Sequence, residues 1–172
     1  LGLQYSLGDK IEINGFSNAE FAGQHKDCKS VGGFTIRLGT GVLAASSKKQ
    51  TVVALSTAAA EYYALSAACI DILHLRNIVE FLGHPQEKAT LCYVDSTSCK
   101  AIAEKVADTK KSKTIEVRYM YVQDMIQRGI LKLAYIKTDD MVADIFTKPL
   151  PREIFEKHRA ALVGAFVFMI SW

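Results

Sequence analysis

Five polar positions, far apart in the chain, carry side chains of the type that handles a hard divalent cation. They are Asn18 and Glu20 in "NGFSNAEFAG", Glu61 in "STAAAEYY", Asp95 closing "ATLCYVD", and Asp144 in "MVADIF". Carboxylate and amide oxygens suit such ions. Asn18 and Glu20 stand two apart on a strand pattern, so both side chains leave one face. Asn18 is neutral where a cation would be better served by a carboxylate. Acids near helix starts also have a plainer use, complementing the helix dipole, and an acid at a strand end can simply be solvated. Whether the five converge depends on the elements that carry them.

Those elements read clearly. "DKIEINGFSNAEFAG" predicts a first strand over residues 10–20, and "GGFTIRLG" and "GVLAASS" two more around the turn Gly39-Thr40-Gly41. Short links make these three an antiparallel meander. The period then changes to three and four: Tyr62, Leu65, Cys69, Ile72, Leu75, Val79 and Leu82 form one stripe, the mark of a long amphipathic helix. Ser56 or Thr57 caps its start, and Gly83 with Pro85 stops it. "ATLCYVD" is nearly all apolar, as a strand buried on both faces would be. A short helix follows in "STSCKAIAEK", a basic stretch to Arg118, a helix closed by Gly129, an alternating strand "ILKLAYIKT", and a helical segment interrupted at Pro149 and Pro151. This order gives one α/β domain with further strands added to the meander. Asp95 lies where open α/β sheets gather ligands, at the carboxyl end of a strand.

Composition narrows the function classes. A chain of 172 residues, 49% hydrophobic, can bury a core of its own. The net charge of +3 does not by itself announce a nucleic-acid binder, so the distribution of charge has to carry that argument. Cys28, Cys69, Cys92 and Cys99 form no CxxC pair and read as thiols of a reducing compartment, three of them buried. His25, His74, His84 and His158 lack ligand spacing, which speaks against zinc. No signal peptide is visible, and the start on Leu1 suggests a segment of a longer polypeptide. The apolar tail "GAFVFMISW" is too short to span a membrane.

At "GFSNAEFAG", "KSVGGFTIRLGTG", "SSKKQ", "VALSTAAAEYYAL", "YVDSTSCKAIA", "KSKTIEVRYMYV" and "YIKTDDMVADIFTKPL" the chain resembles the ribonuclease H domain of copia-type LTR retrotransposon Pol polyproteins. The resemblance covers residues 1–163 as one domain and leaves 164–172 as a tail outside the family pattern. It implies a ribonuclease H-like fold: a five-stranded mixed sheet, the antiparallel meander plus added parallel strands, flanked by helices. It also implies hydrolysis of the RNA strand of RNA/DNA hybrids by two Mg²⁺ ions, with Mn²⁺ as a substitute. The implied metal ligands are Glu61, Asp95 and Asp144, with Asn18 at the position of a fourth acid. The implied partners are the hybrid and the reverse transcriptase portion of the parent polyprotein. The implied setting is intracellular, in a cytoplasmic virus-like particle or the nucleus, with the isolated domain monomeric and no membrane involved.

The chain departs from that pattern where the chemistry is most sensitive. The family's Asp-Ala-Asp triplet is Asn18-Ala19-Glu20 here; Ala59 stands where the family has an acid, Thr114 and a residue around Met120 where it has histidines, and Ala45 where it has an aromatic. An amide removes one negative charge from a site built to hold divalent ions. Glu20 is the candidate substitute, but it lies about 7 Å further along the strand. The expectation is therefore a ribonuclease H domain with impaired catalysis, or a non-catalytic module binding hybrid or reverse transcriptase. Lys110, Lys111, Lys113 and Arg118 are the candidate phosphate contacts, with Lys48, Lys49 and Ser96 as weaker ones.

Overall fold

The computed structural model describes residues 2, 3, 5, 11–22, 27–105 and 113–163. Strands β1 (Ile13–Glu20), β2 (Val31–Leu38) and β3 (Gly41–Lys49) form the expected meander. Then come α1 (Thr57–Phe81), β4 (Thr90–Val94), α2 (Thr97–Glu104), α3 (Lys113–Gln127) and β5 (Leu131–Tyr135). Two 3₁₀ turns, Thr138–Asp140 and Val142–Phe146, lead to α4 (Arg152–Val163). The sheet order is β3-β2-β1-β4-β5, with β1, β4 and β5 mutually parallel. The mixed five-stranded sheet is thus as expected, and residues 164–172 lie outside the described residues.

The two faces of the sheet are covered differently. Residue 15 of β1 faces α1, because a Cβ there would lie 3.0 Å from Ile72 Cδ1. Leu65, Cys69 and Ile72 of α1 pack on this face with Ile36, Cys92 and Val94, all with no exposed surface. The opposite face carries Phe16 and Val42 under Met141, Ala143 and Leu162. Ser56 Oγ caps α1 by accepting from the Ala59 amide at 3.1 Å, and Gly83, at φ +88°, ends it. Tyr62 stacks on Tyr119 with ring centroids 3.9 Å apart, and its hydroxyl donates to the Tyr119 carbonyl, so α3 is bound to the first turns of α1.

Two sequence expectations need correction. Strand β4 is not buried on both faces: Leu91 is 37% exposed and Tyr93 half-buried, since the 3₁₀ turns and α4 cover the second face only in part. The segment around Asp144 is 3₁₀ rather than α-helical. Three cysteines are buried as expected, all four are free thiols, and Cys28 is exposed.

One glycine controls the approach of the Asp144 segment to the sheet. A Cβ at Gly33 would stand 2.7 Å from Phe146 Cβ and 2.8 Å from Thr147 Cγ2. Gly33→Ala should therefore destabilise the fold by about 1–3 kcal/mol through overpacking. Urea unfolding followed by circular dichroism would measure it; an unchanged midpoint would mean that the segment gives way freely.

Candidate active site and its basic flank

The site forms where two parallel strands part. β1 and β4 pair from Asn14–Leu91 to Phe16–Tyr93, and no further. Continuing that register sets Asn18 level with Asp95, across a gap no hydrogen-bond ladder closes. The meander leaves β1 on one side and β5 lies beyond β4 on the other, so this is a topological switch point, the usual crevice of open α/β sheets.

Side chains enter the gap from both faces. Glu61, in the second turn of α1, comes from the α1 side and accepts from the Ala19 backbone N–H. Asn18 pairs with Gly33 across β1 and β2 and so points to the other face. There its Nδ2 donates to Asp144 Oδ1 and, at 3.1 Å, to Thr147 Oγ1. Asp144 is acceptor-only when ionised, so the nitrogen edge of the amide must face it. Lys148 Nζ reaches Asp144 Oδ2 at 2.8 Å. Asp95, half-buried at the end of β4, accepts from Thr138 Oγ1 at 3.0 Å. Glu20 lies two residues beyond Asn18 on the same face, half-buried at the end of β1.

The electrostatics follow from burial. Desolvation, reinforced by the charge of Asp95, raises the Glu61 carboxyl to about 8, against the opposing pull of the Ala19 amide. Its Oε2 is buried without a hydrogen-bond partner. Burial also raises Asp144, and Lys148 pulls it back. His158 on α4 is buried, which lowers its pKa and keeps the imidazole neutral near pH 7.

Two divalent ions do not fit these residues as they stand. Among the described residues no group of three or more His, Cys, Asp or Glu is gathered to hold a metal. Asp144 is taken up by the Asn18 amide and the Lys148 ammonium, and Asn18 turns its nitrogen edge, which cannot bind a cation, toward it.

The basic candidates divide. Lys48 pairs across the sheet with Gly32, which pairs with Ala19, so Lys48 stands two strands from the gap, roughly 10 Å away. With Gln50, Tyr63 and Arg118 it lines a cleft of about 180 Å³. Arg118 lies 5.4 Å over the Tyr63 ring and donates to Ser66 Oγ at 3.1 Å. Lys49 is ion-paired with Asp27 at 2.7 Å. Ser96 caps α2, its Oγ accepting from the Cys99 amide, which is a structural task. Lys113 opens α3, while Lys110 and Lys111 lie outside the described residues. Sequence reasoning missed Thr147 and Lys148. The signal was there for Lys148: an acid and a lysine four residues apart on a helical turn pair readily.

This sheet order, with helices on both faces, defines an RNase H-like fold. The N-terminal RNase H domain of Rv2228c from Mycobacterium tuberculosis superposes with a TM-score of 0.58 at 13% identity, over 88% of this chain and 99% of that one. LC11-RNase H1, solved in complex with RNA/DNA hybrid, superposes at 0.57 and 17% identity, over 85% and 98%. No protein-family model matches the chain. The Pol polyprotein of transposon TNT 1-94 from Nicotiana tabacum is 33% identical over 144 residues, and that of transposon RE1 from Arabidopsis thaliana 26% over 155, covering 84% and 90% of this chain. The chain spans about a tenth of the length of these relatives, 11% in each case. It is an RNase H-like domain related to the Pol polyproteins of copia-type retrotransposons.

The Glu61 environment yields a pH test. Its folded pKa lies above its unfolded one, so between about 4.5 and 8 the folded state holds a proton that the unfolded state has released, and stability falls as pH rises. Glu61→Gln removes this term. Its stability relative to the natural chain should grow through that window by on the order of a few kcal/mol, read from unfolding free energies at several pH values. A constant difference would mean that Glu61 ionises normally.

Proposed function

We propose that this chain is a ribonuclease H module that binds RNA/DNA hybrid and in which metal-dependent hydrolysis is impaired. One observation carries the reading: the first-strand acid of the family pattern is Asn18, and its amide donates to Asp144 instead of adding a charge to the site. Three acids of that pattern, Glu61, Asp95 and Asp144, remain at the same end of the sheet, but each has met burial differently. Glu61 favours its neutral form, Asp144 is ion-paired, and Asp95 alone stays half in water.

A gap with little net negative charge repels a phosphate backbone weakly, which favours binding without ions. The flank supplies attraction. Lys48 and Arg118 border a cleft two strands from the gap, and Tyr63 adds an aromatic wall. Contacts of this type read backbone shape and 2′-hydroxyls and have little base preference. The fold and flank fit a role beside reverse transcriptase, inside the cell, where hybrids arise. Among the described residues no helix is long and apolar enough to cross a membrane.

The test pairs binding with cleavage on one labelled hybrid. Fluorescence anisotropy should give binding that weakens steeply with salt and is the same with EDTA or Mg²⁺. Lys48→Ala with Arg118→Ala should weaken it about tenfold or more, while the cleavage assay stays blank in Mg²⁺ and Mn²⁺. Metal-dependent cleavage lost on Asp95→Asn would instead make this a working nuclease. Absence of binding would remove the module reading as well.

A further inference from the structure

The cleft bordered by Lys48 and Arg118 is more than a basic surface. It lies between α1 and β2, since a Cβ at Gly32 would stand 3.2 Å from Ala64 Cβ. Small residues hold it open, Gly32 on the strand and Ala64 and Ala67 on the helix, while Phe34 and Val52 supply larger apolar walls. Gln50 is fixed at its edge. The Gln50 backbone N–H donates to the Ser30 carbonyl at 2.8 Å, and Nε2 donates to the Ala60 carbonyl at 2.9 Å. Arg118 is held as well. It donates to Ser66 Oγ at 3.1 Å, and Ser66 in turn donates to the Tyr63 carbonyl at 2.9 Å. Its guanidinium lies 5.4 Å over the Tyr63 ring, and most of its N–H donors remain for a ligand. Among the described residues no acid forms an ion pair with Arg118 or Lys48, although the adjacent Lys49 is paired with Asp27.

Apolar walls and unpaired cations around one cleft suit a ligand with both characters. A phosphate alone leaves the walls idle, and an uncharged ring leaves the cations without a partner. A nucleotide satisfies both. A cavity of roughly 150 Å³ holds a benzene ring, so a cleft of about 180 Å³ admits one planar base. A base inside a duplex is stacked and paired and cannot enter. We infer that the cleft receives one unpaired base from a single-stranded overhang, with its phosphate against Lys48 and Arg118. This rests on the reading that this flank meets nucleic acid, and it names the part of the substrate held there: the overhanging end of a hybrid rather than its paired body. Every base has a π-face, so the preference is for unpaired over paired nucleotides and not for one base over another.

Fluorescence anisotropy with the natural chain tests it on a blunt hybrid, the same hybrid with a short single-stranded overhang, and that overhang made abasic. The overhang should bind roughly tenfold tighter than the blunt hybrid, the scale of one stacked base. The abasic overhang, which keeps every phosphate, should lose most of that gain. Ala67→Leu narrows the cleft at unchanged charge and should erase the gain too, with a circular dichroism melt to show that the variant is folded. An abasic overhang that binds as tightly as the intact one means that phosphates alone are read, and it overturns the inference. So does an overhang that adds nothing, or a folded Ala67→Leu chain that keeps the gain. If Ala67→Leu does not fold, the abasic comparison decides. Blunt-hybrid affinity reports separately on the proposed function. Blunt binding with no gain from the overhang overturns this inference and leaves that reading standing, whereas no binding to any of these ligands overturns both.

Discussion

The early end of the β1–β4 ladder is the constraint on which the site depends. Parallel strands that stayed paired past Phe16 and Tyr93 would place their backbone hydrogen bonds where Glu61 now reaches the Ala19 amide. Because the pairing stops, that amide needs another acceptor, and a buried donor left empty is unfavourable. Glu61 answers it from α1, while Asn18 and Asp144 fill the gap from the opposite face. Both layers of the fold therefore meet at one point, held by polar contacts rather than by the apolar core.

Three acids at the same end of the sheet, near enough for Asp95 and Asp144 to act on Glu61, create a problem of charge, and each is accommodated differently. Glu61 is drawn toward its protonated form by burial and by its neighbours. Asp144 stays buried beside a tethered ammonium and an amide. Asp95 keeps contact with solvent at the end of β4 and a hydroxyl from Thr138. A dry cluster of carboxylates would be untenable without such compensation, since each desolvated charge needs a partner or a proton. For Asp144 the compensation comes from within the chain. Asn18 is integral to it, because an amide can donate toward Asp144 and a carboxylate cannot.

Much of the fold was legible from pattern. The stripe from Tyr62 to Leu82, capped at Ser56 and stopped at Gly83, reports helix α1 because side chains three and four apart must share a face. The link between β2 and β3, residues 39–40, is too short for anything but antiparallel neighbours. The misreadings have equally local causes. "ATLCYVD" looks buried on both faces because apolarity does not say how far a covering layer extends, and Leu91 lies beyond it. "VADIF" carries helical spacing that a short 3₁₀ turn also satisfies.

By itself the sequence determined which residues could take part: the neutral amide at position 18, the acids at 61, 95 and 144, the basic positions around Lys48 and Arg118, and the strand ends near which the acids stand. Only the tertiary structure decided how they are used. Which face Asn18 points to depends on its register with Gly33. How closely Asp144 comes to Asn18 depends on how closely the 3₁₀ segment can approach a glycine. Whether Glu61 keeps its proton depends on how deeply α1 buries it. Spacing along a chain records which groups share an element. The energy of a buried charge is set by what lies within a few ångströms of it, and those neighbours come from distant parts of the chain.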